Sequence, residues 1–156
     1  MLVYRIVHKK YSAGLYVSGL KGRWNSPGKK VLYTAESIPL AFLENMIRRQ
    51  GVGFNTDFKI MIIEIPESAV ISEVEISDLE DGWRAFRDYS RCQRIGDKWY
   101  DGNKTLVLRV PSAVLPEAFN YVIHAEHKDY KLVKLIRTTE LVPDDRIEEI
   151  LKNYSK

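Results

Sequence analysis

Arg23 stands in the segment Gly22-Arg23-Trp24-Asn25-Ser26-Pro27-Gly28, immediately before the strand-like run Val31-Leu32-Tyr33-Thr34. A planar cation between an aromatic and an amide, in a loop bounded by Gly and Pro, suits the presentation of a guanidinium to a phosphate or carboxylate. Arg reads such anions with a fork of donors and must be held rigidly to do so; Trp24 and Pro27 are stiff neighbours. The plainer alternative is a surface turn whose Arg is solvated. Glu44 is the second residue of interest. It falls on the apolar stripe Leu40, Leu43, Ile47 of the helix expected after Tyr33, away from the solvated face. Leaving a carboxylate there unpaired would cost several kcal/mol, so a partner such as Arg23 or Tyr33 is implied. A structural Arg/Glu pair tying helix to sheet would satisfy the same requirement.

Ser112 follows the apolar run Leu106-Val107-Leu108-Arg109-Val110-Pro111, at a strand end where binding groups are commonly displayed. No His lies at a spacing that suggests a hydrolase triad and no Gly-x-Ser-x-Gly elbow surrounds it, which argues against a nucleophile. A hydrogen-bonding role or a turn-capping role remains. Asn120, before Tyr121-Val122-Ile123, is either a second amide contact or a turn residue.

These groups must be positioned by a chain of 156 residues, 45% hydrophobic, which is enough for one domain with its own core. The single cysteine, Cys92, rules out an internal disulfide, and His8, His124 and His127 lack the spacing of a zinc site, so no metal is expected. No apolar run approaches the ~20 residues of a membrane span, and Met1-Leu2-Val3-Tyr4-Arg5-Ile6-Val7 lacks the features of a signal peptide. The expectation is a cytoplasmic protein without membrane contact. A formal charge of +3 comes from scattered Lys and Arg, and with no helix-turn-helix, RNP-like or zinc pattern beside it, direct nucleic-acid binding is not expected. No Gly-x-Gly-x-x-Gly follows a strand, so dinucleotide binding of the Rossmann kind is not suggested.

The periodicities predict strands over 2–7, 31–34, 59–65, 69–76, 105–110, 121–124 and 132–136. Ser37 should cap a helix with Pro39 in its first turn, running to about Arg49 and stopped by Gly51 and Gly53. Helical spacing of Leu79, Trp83, Phe86 and Tyr89 predicts a helix over 78–92, followed by a turn-rich loop over 95–103. A short amphipathic helix is expected over 144–154. The fold class is α+β, a single domain with a mixed, mostly antiparallel and split sheet.

Taken in order, Val3-Tyr4-Arg5-Ile6, Gly22 to Gly28, Val31-Leu32-Tyr33-Thr34-Ala35-Glu36-Ser37, Leu43-Glu44, Ile95-Gly96-Asp97-Lys98-Trp99, Leu108 to Val114, Asn120-Tyr121 and His127 resemble the RES domain, a family named for an Arg, a Glu and a Ser. Arg23, Glu44 and Ser112 fall at those three positions, and the resemblance runs from about Tyr4 to Ile136. It implies the toxin half of a bacterial toxin–antitoxin pair, with a fold like that of ADP-ribosyltransferase toxins, a helix-turn-helix antitoxin as partner and a homodimer held with it. Family members destroy NAD by hydrolysis or phosphorolysis, or transfer ADP-ribose to a protein. The chain departs from the family at His124-Ala125-Glu126-His127, where Asn-Pro-x-His is frequent, and in the ending from Leu141 onward.

On that resemblance NAD+ is a substrate and no cofactor is required. Breaking the nicotinamide–ribose bond develops oxocarbenium character on the sugar, for which Glu44 would supply the nearby carboxylate. Arg23 would hold the pyrophosphate bidentately, Tyr33 would offer a π-face to nicotinamide, and Ser112 with Asn120 would hydrogen-bond ribose or carboxamide. Three functions stay open: an NAD+ glycohydrolase or phosphorylase, a mono-ADP-ribosyltransferase, and a non-catalytic binding module in which Arg23 and Glu44 are structural.

Overall fold

Seven strands form one sheet in the order β4-β5-β6-β2-β1-β3-β7. The computed structural model describes residues 1–50 and 57–154. The strands are β1 (Leu2–His8), β2 (Val31–Ala35), β3 (Phe58–Glu64), β4 (Ile71–Glu73), β5 (Val107–Pro111), β6 (Phe119–His124) and β7 (Lys134–Glu140). Only β4 and β5 run parallel; every other neighbouring pair is antiparallel. The helices are α1 (Ile38–Arg48), α2 (Ser90–Gly102) and α3 (Asp145–Tyr154).

The sheet is nearly divided at its centre. β1 pairs with β3 along seven positions, Leu2↔Glu64 to His8↔Phe58, and β2 pairs with β6 along five, Val31↔His124 to Ala35↔Asn120. Between β1 and β2 the ladder holds one pair, Tyr4↔Ala35. The two strands part beyond it, and the expected split sheet is present. One face carries the main core, with Val3, Val7, Leu32, Ile63, Val107 and Ile123. On the other face, β2 residues two apart alternate onto the helices: Val31 and Tyr33 pack with the Trp24 and Cys92 cluster, and Ala35 packs with Leu40 and Ala41 of α1.

α1 begins as its sequence requires. Ser37 is extended (φ −146°, ψ 158°), its hydroxyl accepts from Leu40 N at 3.3 Å, and Pro39 lies in the first turn, where a missing N–H is harmless. The helix ends at Arg49; Gly51 and Gly53, expected to stop it, lie outside the described residues. Its inward stripe is not the expected one. Leu40 and Ala41 are buried while Ile47 is exposed, so the inner face continues through the half-buried Glu44 and Asn45.

The region 78–103 reverses the sequence expectation. Residues 79–89 form turns, broken at Gly82 (φ 81°), and the apparent helical spacing is coincidental: Trp83 is buried, but Phe86 is 75% exposed. The helix lies over the stretch expected to be a turn-rich loop. α2 runs through Gly96 and closes on Asn103 in the left-handed region (φ 47°). Gly96 is there because α2 touches the Arg23 loop; a Cβ would stand 1.8 Å from the Trp24 carbonyl oxygen. The expected strand over 69–76 contracts to β4, followed by a 3₁₀ turn at Ile76–Asp78. The strand expected over 132–136 is offset, as β7.

Candidate active site

Arg23 sits at the tip of a turn closed by paired main-chain bonds between Gly22 and Asn25. Asn25, 1% exposed, holds the loop from within: its Nδ2 donates to the carbonyls of Leu20 (2.9 Å) and Lys29 (3.1 Å), and its Oδ1 accepts from Tyr33 Oη at 2.6 Å. Trp24 N donates to that same Oη at 3.0 Å. No side chain fits at residue 22, since a Cβ would lie 2.5 Å from Tyr33 Oη. α2 supports the loop from outside through one face, Gln93, Gly96 and Asp97. Gln93 Nε2 donates to the carbonyls of Gly22 (2.9 Å) and Asn25 (3.2 Å), and Asp97 Oδ1 accepts from Ser26 N at 2.9 Å.

The guanidinium thus held does not meet Glu44. Its Nη1 donates to the carbonyls of Trp83 (2.7 Å) and Ala85 (3.1 Å), and its carbon lies 4.6 Å from the centre of the Tyr89 ring. Arg23 fastens the 79–89 segment to the loop, and Arg84 fastens the same segment to the Ser112 turn, donating from Nε to Ala113 O at 2.9 Å. Burial pushes the Tyr33 phenol well above its usual pKa, with Trp24 N, Arg48 and Arg23 opposing. Tyr33 therefore stays neutral, with its hydroxyl committed at both donor and acceptor.

The carboxylate expected to pair with Arg23 or Tyr33 instead has two neutral partners. Glu44 Oε1 accepts from Ser112 Oγ at 2.7 Å and from Asn120 Nδ2 at 2.6 Å. The sequence reasoning named all three residues; the structure joins them in one cluster. Ser112 is wholly buried at the end of β5, and its Oγ accepts from Val114 N (3.1 Å) and Leu115 N (3.0 Å) while donating to Glu44. One hydroxyl offers a single proton and two lone pairs. All three are in use, so Ser112 has no free lone pair for attack. Glu44 Oε2 has no hydrogen-bond partner among the described residues and is the atom available to a substrate.

Two further arginines lie on the neighbouring elements. Arg5 lies on β1 beside the split, and Arg48 on α1 one turn beyond Glu44. Burial first, and the charge of Arg48 second, lower the Arg5 pKa to about 10. Tyr4-Arg5 contributed to the family resemblance, but a charged residue on an expected strand carried no further signal. Gln93, Gly96 and Asp97 were detectable in principle, because spacings of three and four place them on one helical face. That face is visible only once α2 replaces the loop expected over 95–103.

The histidines serve a different region. His124 is 2% exposed and stacked on Tyr100 at 3.9 Å; its Nδ1 accepts from Glu126 N at 3.2 Å, which leaves Nε2 to donate to Tyr100 O at 3.0 Å. Burial lowers its pKa. Cys92 is buried and its thiol pushed up by burial, so it is no reactive thiolate. A cavity of about 720 Å³ on the other flank of α2, lined by Val74, Ile95, Trp99 and Leu108 among others, contains none of the Glu44 cluster. No described helix is long and apolar enough to cross a membrane.

A guanidinium loop and a buttressed carboxylate on one side of a split sheet define a class that comparison with known proteins identifies. Residues 2–145 match the RES domain, and the chain belongs to the RES domain family. Toxin Res of Photorhabdus laumondii is 29% identical over 97% of this chain and 100% of its own length; Toxin Res of Pseudomonas putida is 32% identical over 87% and 90%. A protein of Sphingobium sp. strain YBL2 named Prs ADP-ribosylating toxin is 30% identical over 86% of this chain and 84% of its own. Among solved structures, the fold is similar to a chain of the M. tuberculosis MbcT-MbcA toxin-antitoxin complex, with a TM-score of 0.72 at 17% identity over 97% of this chain and 88% of that one.

Proposed function

We propose that this chain is the toxin of a toxin–antitoxin pair and consumes NAD+ by cleaving the nicotinamide–ribose bond, with Glu44 as the catalytic carboxylate. The observation that carries this reading is the Glu44 cluster: Oε1 is fixed by Ser112 and Asn120, and Oε2 is left for substrate. Cleavage sends the bonding pair to the nicotinamide nitrogen, which departs neutral. The ribose carbon becomes an oxocarbenium, which a fixed carboxylate at van der Waals range stabilises more than it stabilises the ground state. Water then adds to that carbon and releases one proton, giving ADP-ribose; phosphate in place of water would give the phosphorylated sugar.

The other residues position the substrate. Tyr33, locked by Asn25 and Trp24, offers its ring face to nicotinamide. Arg23 contributes a fixed positive charge, its Nη1 spent on the 79–89 segment and the rest of the fork directed to the anionic part of NAD+. An antitoxin partner belongs to the same proposal, supported by the toxin-antitoxin complex whose chain shares this fold. A homodimer and a helix-turn-helix antitoxin follow from the family resemblance alone.

The test is incubation of the purified protein with NAD+, with and without phosphate, and chromatography of the products. Nicotinamide and ADP-ribose, or its phosphorylated form, released in equal amounts are expected. One observation favours a second acceptor: the Sphingobium relative is named an ADP-ribosylating toxin. In that case NAD+ alone is consumed slowly, and labelled ADP-ribose appears on a protein when cell extract is added. No consumption in either setting would leave a binding module and overturn the proposal.

A further inference from the structure

We propose that Phe86 is a stacking platform for the adenine base of NAD+, displayed by the 79–89 segment at the mouth of the Glu44 site. This rests on the NAD+ reading above and assigns the half of the substrate that takes no part in the chemistry.

The segment lies across the site. Trp83 and Leu79 pack in the cluster that holds Leu108 and Val110 of β5, and Ser112 continues the two-residue spacing of those side chains on the same face of the sheet. Two arginines fasten the segment from opposite sides. Arg23 donates to the carbonyls of Trp83 and Ala85, and Arg84 to those of Ala113 (2.9 Å) and Val114 (3.4 Å), the two residues after Ser112. Ala85 N closes a turn on the Gly82 carbonyl at 3.0 Å, and Tyr89 lies against the Arg23 guanidinium. The backbone on either side of Phe86 is thereby held.

Covalent geometry then puts Phe86 beside Arg23. Ala85 O accepts from Arg23 Nη1 at 3.1 Å, and the amide nitrogen of Phe86 shares a peptide plane with that oxygen, so it lies within roughly 5.5 Å of Nη1. The Phe86 side chain is 75% exposed and belongs to none of the three apolar clusters; among the described residues no other phenylalanine is so exposed. A phenyl ring has no hydroxyl to offer water, and one left in solvent forfeits the burial its area would otherwise contribute. The Arg87 guanidinium carbon stands 5.1 Å from the ring centre, and the ring remains largely open. In NAD+ the adenosine hangs from the far end of the diphosphate. With the nicotinamide ribose at Glu44 and the diphosphate at Arg23, the base is carried one ribose beyond Arg23, within reach of Phe86. A flat aromatic face binds a purine there by stacking, with no donor or acceptor needed in register. The proximity to Arg23 favours a ligand joined to an anion over a protein partner seated on the ring.

Calorimetry with ADP-ribose, and with inorganic pyrophosphate, which lacks the base, tests this on wild type, Phe86→Ala, Phe86→Leu and Phe86→Trp. Because Phe86 buries little, thermal melts of the variants should stay within about 2 °C of wild type. Phe86→Ala and Phe86→Leu are expected to weaken ADP-ribose binding about ten- to a hundredfold and to leave pyrophosphate binding unchanged, whereas Phe86→Trp keeps the wild-type affinity. In turnover the KM for NAD+ should rise by a similar factor in the first two variants while kcat changes less than about threefold. ADP-ribose affinity unchanged in folded Phe86→Ala, an equal loss for pyrophosphate, or no binding of ADP-ribose to wild type would overturn the platform. Phe86→Leu binding as tightly as Phe86→Trp would overturn it too, since an ordinary apolar contact would then suffice. Loss of binding to a protein partner with ADP-ribose affinity intact would give the ring to that partner instead. Base-dependent binding that requires Phe86 in a protein that consumes no NAD+ would uphold the platform for an adenine nucleotide and refute the functional reading; NAD+ consumption with a KM indifferent to Phe86 would do the reverse.

Discussion

Glu44→Gln isolates the charge from the shape. Glutamine is isosteric, and Ser112 Oγ and Asn120 Nδ2, both donors aimed at one oxygen, select the rotamer that presents its carbonyl to them. The fold should therefore survive, with a melting temperature within about 2 °C of wild type. At the former Oε2 position the variant presents an NH₂, a donor with no negative charge. A unit charge about 4 Å from the oxocarbenium, at an effective dielectric near 20, is worth roughly 4 kcal/mol. Each 1.36 kcal/mol is tenfold in rate, so NAD+ turnover should fall on the order of a thousandfold. The assay is nicotinamide release by the purified variant under saturating NAD+, followed by chromatography, with growth arrest on induction as its cellular counterpart. Turnover within about threefold of wild type would refute the assignment, because among the described residues no other carboxylate is fixed in this cluster. A large loss accompanied by a melting temperature several degrees lower would instead indicate that the hydrogen bonds, rather than the charge, had been disturbed.

Ser112→Ala should lower turnover roughly ten- to a hundredfold without abolishing it, since Asn120 still holds Glu44; an ADP-ribose adduct on Ser112 seen by intact-protein mass spectrometry during turnover would overturn the non-nucleophilic role. Arg23→Lys should fail nearly as badly as Arg23→Ala, because an ammonium cannot hold two carbonyls, lie on the Tyr89 ring and face an anion together; growth arrest restored by Lys would show that charge alone suffices. Gly96→Ala should cost about 3 to 5 kcal/mol, combining overpacking with strained Gln93 and Asp97 bonds, and a melting temperature unchanged to within about 2 °C would contradict the close approach of α2 to Trp24. Burial lowers the His124 pKa, so the unfolded chain takes up that proton more readily: the stabilisation is complete above about pH 6.5 and is lost as pH falls through the lower folded value, and the drop in melting temperature between pH 7.5 and 5.0 should shrink in His124→Gln.

How far the sequence anticipated this architecture depended on whether a local rule and the tertiary contact pointed the same way. They agreed at β1, β2, β3 and α1, where alternation or a Ser cap with Pro39 is matched by the packing. Residues 78–103 set them against each other. Trp83, Phe86 and Tyr89 carry a helical period by chance, and Gly96 reads as a breaker. Its missing Cβ in fact lets a helix lie against a carbonyl, a requirement that belongs to a contact 72 residues away in the chain. Gly96 and Gln93 become informative only once Trp24 and Gly22 are known to be their neighbours.

The candidate site divides along the same line. Glu44 was recognisable because a charge on an apolar stripe contradicts the pattern around it, even though the stripe was misdrawn and Ile47 faces solvent. Ser112 and Asn120 were recognisable as residues but not as Glu44's partners, because their meeting is made by the β5–β6 register, Val110↔Asn120, and by the crossing of α1 above it. The expected Arg23–Glu44 pair was reasonable electrostatics applied without topology. The chain satisfies the two charges separately, one with carbonyls and an aromatic ring, the other with a hydroxyl and an amide. Under the proposed function, a direct ion pair would neutralise the carboxylate meant to stabilise an oxocarbenium and occupy the cation meant for a phosphate. Keeping them apart with neutral partners leaves both charges in place, which the proposed reaction would use at two separate parts of NAD+, the carboxylate at the ribose and the guanidinium at the diphosphate.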